Sequence, residues 1–411
     1  MTTPPLPRAL DGVRVLDLTR VLAGPWATQI LGDLGAEVIK IEKPGAGDDT
    51  RAWGPPFLRS PDGGHGDAAY YLAANRNKRS VTVDFTTPEG AEIVRRLAAR
   101  CQIAAENFKV GALKKYGLDY PSLSAINPAL VYCSVTGFGQ TGPYAPRAGY
   151  DFLIQGMGGL MSITGQPDDA PGGEPMKVGV AVADLFTGMY ATVSILAALR
   201  HAERTGEGQH IDISLLDSQI AMLANQAMNY FVGGQSPARL GNAHPNIAPY
   251  QVFATADGFL ILAIGNEAQF KAFAKAADCE AIPDDPRFLT NARRVANRAA
   301  LTEALAPIMA ARATADWIAR LEAAGVPCGP INDIAQVFAD PHVRARGAEQ
   351  AMARPDGAAM RLVASPIRMS RTPPEPRLAP PALGADTDAV LREMLNATNA
   401  DLAAWRAAGA I

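Results

Sequence analysis

Cysteine is scarce in this chain. Its four cysteines, Cys101, Cys133, Cys279 and Cys328, are far apart and form no CxxC pair. That argues against a zinc site or a disulfide framework and fits a reducing, cytoplasmic setting. The five histidines (His65, His201, His210, His244, His342) show no HExxH or paired-ligand spacing, so no metal is expected. There is no run of about 18 or more apolar residues, so no transmembrane helix is expected. The opening residues, MTTPPLPRALDG, lack the charged-then-apolar pattern of a secretory leader. An excess of one charge is missing too. Lys and Arg number 38 against 41 Asp and Glu, a net charge of −3, which gives no reason to expect nucleic acid or an anionic membrane as partner.

The 411 residues are 48% apolar and 19% charged, a globular composition of a length that suggests two domains. Residues 12–17 (GVRVLD) read as a buried strand, 26–34 as a helix ended by Gly35, and 36–42 as a second strand. This is a β-α-β unit, which implies a parallel sheet with a right-handed crossover. The loop after the first strand lies where open α/β sheets bind ligands. It holds a lone glycine, Gly24, followed by Pro25 and has no GxGxxG, so a pyrophosphate cradle and a nicotinamide dehydrogenase are poorly supported.

Residues 44–66 are rich in Gly, Pro and Asp and read as a long loop carrying Asp48, Arg51 and Trp53. Strands and helices then alternate through residues 81–85, 103–106, 130–135 and 210–215. The expected fold is therefore α/β, with a doubly wound, Rossmann-like large domain over residues 1–230. A loop-rich linker at 231–249 leads to a smaller α+β domain over 250–325, which opens with a hairpin around Asp257-Gly258. Residues 326–411 read as a linker and a return to the large domain. Arg79, Lys109 and Lys115 fall near strand ends, with Arg76 and Lys78 close by. They are either separate solvated charges or one rim that binds an anion such as a phosphate.

The stretch 176–199, MKVGVAVADLFTGMYATVSILAAL, stands apart. Its β-branched run at 178–182 predicts a strand, the pair at 183–184 a turn, and the remainder a small-residue helix. Asp184 falls at the join, where Asp is a preferred N-cap.

In order along the chain come VLDLTRVLAGPWATQILGDLGAEVIKIEKPGAGDDTR, NRNKRSVTVDF, ENFKVGALKKYGL, SVTGFGQTGPY, AGYDF, VGVAVADLFTG, RTGEGQHIDISLLD and GVPCGPINDIAQVFADPHVRARG. Together they resemble the class III CoA-transferase family, also called CaiB/BaiF, over nearly the whole chain. The resemblance implies a large α/β domain and a small domain in an interlocked homodimer. The ligands it implies are an acyl-CoA and a small carboxylic acid. CoA would be a substrate, with no permanently bound cofactor. It makes Asp184 the nucleophile, working through an aspartyl–acyl anhydride and an aspartyl-CoA thioester, which divides one difficult exchange into easier steps. It places Val21, Leu22, Ala23, Lys43, Asn107, Phe108, Lys109, Ala112, Lys115 and Asp151 along CoA, and Gly265 in a mobile glycine loop of the small domain. Two positions separate members. Racemases carry His where this chain has Tyr150, whose unperturbed pKa near 10 suits a two-base mechanism poorly. Formyl-CoA:oxalate transferases carry Gln where this chain has Leu22. The resemblance therefore points to a dicarboxylate transferase using succinyl-CoA. Tyr150 would stand at the substrate, and Arg20, Arg51 or Arg147 would hold a distal carboxylate. A 2-methylacyl-CoA racemase, a formyl-CoA:oxalate transferase and a CoA-binding protein without catalysis are the alternatives.

Overall fold

Neighbouring residues of the sheet strands are apolar in both directions. Val15, Val38, Ile103 and Val131 enter one buried cluster, while Leu16, Ile39, Ala104 and Tyr132 enter another. A strand apolar on both faces needs cover on both, as in a parallel sheet flanked by helices. The computed structural model describes residues 8–59 and 63–411. It shows that arrangement.

In chain order the elements are β1 (Arg14–Asp17), α1 (Ala23–Asp33), β2 (Glu37–Glu42), β3 (Phe57–Arg59), β4 (His65–Ala68), α2 (Ala69–Ala73), β5 (Lys78–Thr82), α3 (Pro88–Ala98), β6 (Ile103–Glu106), α4 (Tyr120–Ile126), β7 (Val131–Thr136), α5 (Asp151–Met157), α6 (Val182–Thr205), β8 (Gln209–Ser214), α7 (Leu215–Met222) and α8 (Ala224–Gly233). The large sheet runs β5-β2-β1-β6-β7-β8, and every neighbouring pair is parallel. The strand order reverses between β1 and β6. Their carboxyl-end loops diverge there and leave a crevice. The described residues of the expected loop at 44–66 are more ordered than its composition suggests. It contains a 3-10 turn at Asp49–Ala52 and the antiparallel pair β3–β4.

One face of the sheet is covered by α1 and α6, the other by α3 and the helix Thr387–Leu395. The chain divides into two compact units. The first holds the residues up to Leu160, Val178–Met228 and His342–Ile411; the second holds Met161–Lys177 and Asn229–Pro341. Within the second, strands Tyr250–Ala254, Phe259–Ala263 and Cys328–Pro330 form an antiparallel sheet around Phe253, Leu260, Phe273 and the fully buried Trp317.

The stretch at 178–181 forms no strand, against the expectation from its β-branched residues. Helix α6 begins at Val182, so Asp184 is its third residue and not its cap. By length and hydropathy α6 alone among the described residues resembles a membrane span. Here Ala191, Ile195, Ala198 and Leu199 lie in the sheet's core instead.

The contact between α6 and α1 is close because Gly188 has no side chain. A Cβ there would stand 2.7 Å from the Ala23 carbonyl oxygen and 3.1 Å from the Trp26 ring. Neither neighbour can retreat without moving the start of α1. Gly188→Ala should therefore destabilise the fold by about 1–3 kcal/mol. Urea unfolding measures this, and an unchanged midpoint would refute the close contact.

Candidate active site

At the carboxyl ends of β1, β6 and β7 a cavity is lined by Arg20, Val21, Leu22, Ala23, Asn107, Phe108, Lys109, Arg147, Tyr150 and Asp184, among others. It lies at the crevice where the strand order reverses.

Asp184 is nearly buried. The helix cap that its position suggested is supplied from elsewhere in the fold. Asp151, the first residue of α5, accepts the Ala183 N–H at 2.8 Å and the Asp184 N–H at 3.3 Å through one oxygen. Its other oxygen accepts Gln155 Nε2 at 2.6 Å. Gln155 Oε1 in turn accepts the Val178 N–H at 2.9 Å. Asp151 thus orders the start of α6 and leaves the Asp184 carboxylate to face the cavity. Burial first, and then the like charge of Asp151, push the Asp184 carboxyl up to about 7.

On the same cavity, α1 begins at Ala23 with no side-chain cap and no acidic residue in its first turn. Its first residue, Ala23, and Leu22 just before it line the cavity. An uncapped helix start offers free N–H groups and positive potential to an anion. Asn107 fixes the loop before it by a reciprocal pair of bonds, accepting the Arg20 N–H at 2.9 Å and donating to the Arg20 carbonyl at 2.6 Å. Glu106 accepts the Phe108 N–H at 2.8 Å. Burial, opposed by the Ser134 hydroxyl and that N–H, raises its carboxyl to about 7.

Not every expected residue is here. Arg51 is excluded as a substrate ligand. It is buried, forks onto Glu42 at 2.6 and 2.8 Å, and meets Asp67 at 2.8 Å with the Tyr71 ring beneath it. Lys43, Ala112 and Lys115 do not line the cavity. Gly265 belongs to the second unit. It donates its N–H to Gln269 Oε1 at 2.8 Å, and Asn266 beside it caps the next helix. The basic rim is reduced to Lys109, since Arg76 is tied to Asp33, Lys78 to Asp17, and Arg79 to Glu37 and Glu393.

Of the three candidate arginines, Arg20 meets Asp49 at 3.1 Å and stacks on Phe108. Arg147 lies over the rings of Phe138 and Tyr144, and among the described residues no carboxylate stands within ion-pair distance of it. Tyr70 escaped the sequence reading. Its hydroxyl is pushed up to about 12 by burial and then by the charges of Asp184, Asp151 and Asp48. It packs edge-on against Trp53. Nothing in its short apolar segment marks it.

The model of CoA-transferase family III matches residues 10–387. The chain belongs to that family. This transferase is 54% identical to the succinate–glutarate CoA-transferase of Agrobacterium fabrum over 385 residues, 94% of this chain and 95% of that protein. It is 44% identical to the succinyl-CoA:glutarate CoA-transferase of Homo sapiens over 388 residues, 94% of this chain and 86% of that one. A CaiB/BaiF family protein from Brucella suis has the same fold at a TM-score of 0.83 and 52% identity, covering 94% of this chain and 100% of that one. The chain is therefore an enzyme of the class III CoA-transferases, whose substrates are CoA thioesters.

The raised carboxyl of Asp184 has a consequence for the transferase's stability. A carboxyl whose folded pKa exceeds its unfolded value favours the fold only while protonated, so the fold loses stability as pH rises from about 4, and the loss is complete above about 7. Asp184→Asn should gain on the parent between pH 5 and pH 8, by at most about 3 kcal/mol. Urea unfolding at the two pH values tests this; equal differences at both would refute it.

Proposed function

We propose that this transferase carries CoA from succinyl-CoA to glutarate or a similar dicarboxylate, with Asp184 as nucleophile. The observation that carries the reading is a single nearly buried carboxylate on a cavity that an uncapped helix start also lines. The names of the relatives supply the substrates.

An Asp184 oxygen attacks the thioester carbonyl of succinyl-CoA. The C–S bond breaks, and an aspartyl–succinyl anhydride and CoA thiolate form. The thiolate attacks the aspartyl carbonyl and releases succinate, leaving an aspartyl-CoA thioester. Glutarate attacks that thioester and gives an aspartyl–glutaryl anhydride. The thiolate then attacks the glutaryl carbonyl, and glutaryl-CoA leaves with Asp184 restored. Each step exchanges one anion for another, with no net transfer of protons or electrons. Every step passes through an oxyanion, which the Ala23 and Gly24 N–H groups at the start of α1 would stabilise.

In this reading CoA passes Val21, Leu22, Ala23, Asn107 and Phe108, and Lys109 meets its phosphates. Lys43, Ala112 and Lys115 would meet its outer part, beyond the cavity. Tyr150 borders the acyl group. Arg147 holds the distal carboxylate, since Arg51 is committed to Glu42 and Asp67 and Arg20 to Asp49. The interlocked homodimer belongs to the same reading. It would cover apolar side chains exposed on α5 and α6, such as Phe152 and Val193.

The transferase should convert succinyl-CoA and glutarate to glutaryl-CoA, identified by mass, and refuse acetate. Asp184→Ala should still bind CoA and form no new thioester. Arg147→Met should narrow the preference for glutarate over acetate. Full activity of Asp184→Ala, or no product with any dicarboxylyl donor, would overturn the reading. Sedimentation should give a dimer at micromolar protein; a monomer would contradict the interlocked assembly.

A further inference from the structure

Val21 has φ +71°, the left-handed region. A β-branched residue occupies that region only when its surroundings hold it there. Val21 stands where the first loop turns into α1, on the cavity that Asp184 faces.

The backbone leading into it is held residue by residue. The Leu18 N–H donates to the Ala105 carbonyl at 2.8 Å, and the Thr19 N–H to Asp17 at 2.9 Å. Lys40 Nζ donates to the Thr19 carbonyl at 2.8 Å. Asn107 takes both polar groups of Arg20. The Val21 N–H donates to Asp48 Oδ1 at 3.2 Å. Asp48 is itself pinned. Its other oxygen meets Lys40 Nζ at 2.9 Å with both side chains fully buried, and its N–H donates to Glu42 at 2.9 Å. One buried ammonium thus holds the Thr19 carbonyl directly and the Val21 N–H through a carboxylate.

We propose that Asp48 is a positioning residue for CoA transfer: paired with Lys40, it holds Val21 in the left-handed conformation that turns the start of α1 toward the Asp184 side of the cavity. Asp48 touches no reacting atom. It acts through the backbone at residues 21–23. The proposal rests on the reading that transfer occurs in this cavity. A one-ångström displacement there is enough to matter, because geometry sets the rate of an in-line attack.

The test is a double-mutant comparison, with kcat and the KM for succinyl-CoA measured separately. Asp48→Ala should lower kcat roughly 100-fold with a much smaller change in KM. Asp48→Asn keeps an oxygen for the Val21 N–H and should retain more activity. Val21→Gly, added to Asp48→Ala, should recover about tenfold in kcat, since glycine takes φ +71° without being held there. A merely structural role predicts no such rescue, because Asp48 also accepts the Thr50 N–H and hydroxyl, which Val21→Gly cannot restore. Should Asp48→Ala fail to fold, Val21→Pro and Val21→Gly decide with the Lys40 pair intact. Proline cannot reach a positive φ, so Val21→Pro should fall well below Val21→Gly in kcat. Equal kcat for those two, full activity of Asp48→Ala, or no rescue in the double variant would each overturn the proposal. A parent protein that transfers CoA between no acids would count against the proposed function instead.

Discussion

Two lysines without solvent contact lie beneath the first loop, and the site depends on how they are paired. Lys40 meets Asp48, and Lys78 meets Asp17, each at 2.9 Å. Removing a charge from water is costly, and a buried pair recovers that cost only when the remaining donors and acceptors are also satisfied. Here they are. Lys78 also donates to the Pro25 carbonyl and Asn75, and Lys40 to the Thr19 carbonyl. Burial alone would raise the Asp48 carboxyl, but Lys40 and the bonds from Thr50 outweigh it and hold it at about 2. Asp48 therefore stays ionised across the working pH range. The partners that satisfy these charges are largely the backbone groups of the loop, so the loop is ordered by the same bonds that make the buried charges tolerable.

The second constraint runs the other way. Asp151 and Asp184 are like charges at one helix start. A helix start favours carboxylates, while burial and mutual repulsion disfavour a second one. The structure separates their tasks. Asp151 accepts the backbone N–H groups and the Gln155 amide, and Asp184 is left without such bonds to face the cavity. A carboxylate with few donors is a better nucleophile than one that is fully bonded, and a raised pKa adds to that basicity. In the proposed reaction Asp184 would be poised by what its neighbour removes from it.

Much of this was legible in the chain. The 3.6- and 2-residue patterns placed β1 and β2 within two residues and the start of α1 three residues late, and the missing glycine fingerprint argued against a dinucleotide cradle. Asp184, Val21, Leu22, Ala23, Asn107, Phe108, Lys109 and Tyr150 do line one cavity. The errors share a cause. Arg51 looked like an available cation because its partners, Glu42 and Asp67, are 9 and 16 residues away, on a strand and a hairpin whose approach no local pattern announces. The run at 178–182 looked like a strand because β-branched residues favour one, yet no neighbouring strand pairs with it, and α6 starts inside it.

By itself the sequence determined the alternation of strands and helices, the family, and the presence of one carboxylate in a motif that suits acyl transfer. These follow from side-chain pattern and residue identity, which are local. Only the tertiary structure decided which residue caps α6, which arginine keeps its charge unpaired, and why a valine holds a left-handed turn. Each of those depends on contacts across the chain: Asp151 to Ala183 over 32 positions, and Asp48 to Val21 over 27. The strength of a charge or a hydrogen bond is set by what the fold places beside it, and that is absent from any short window of sequence.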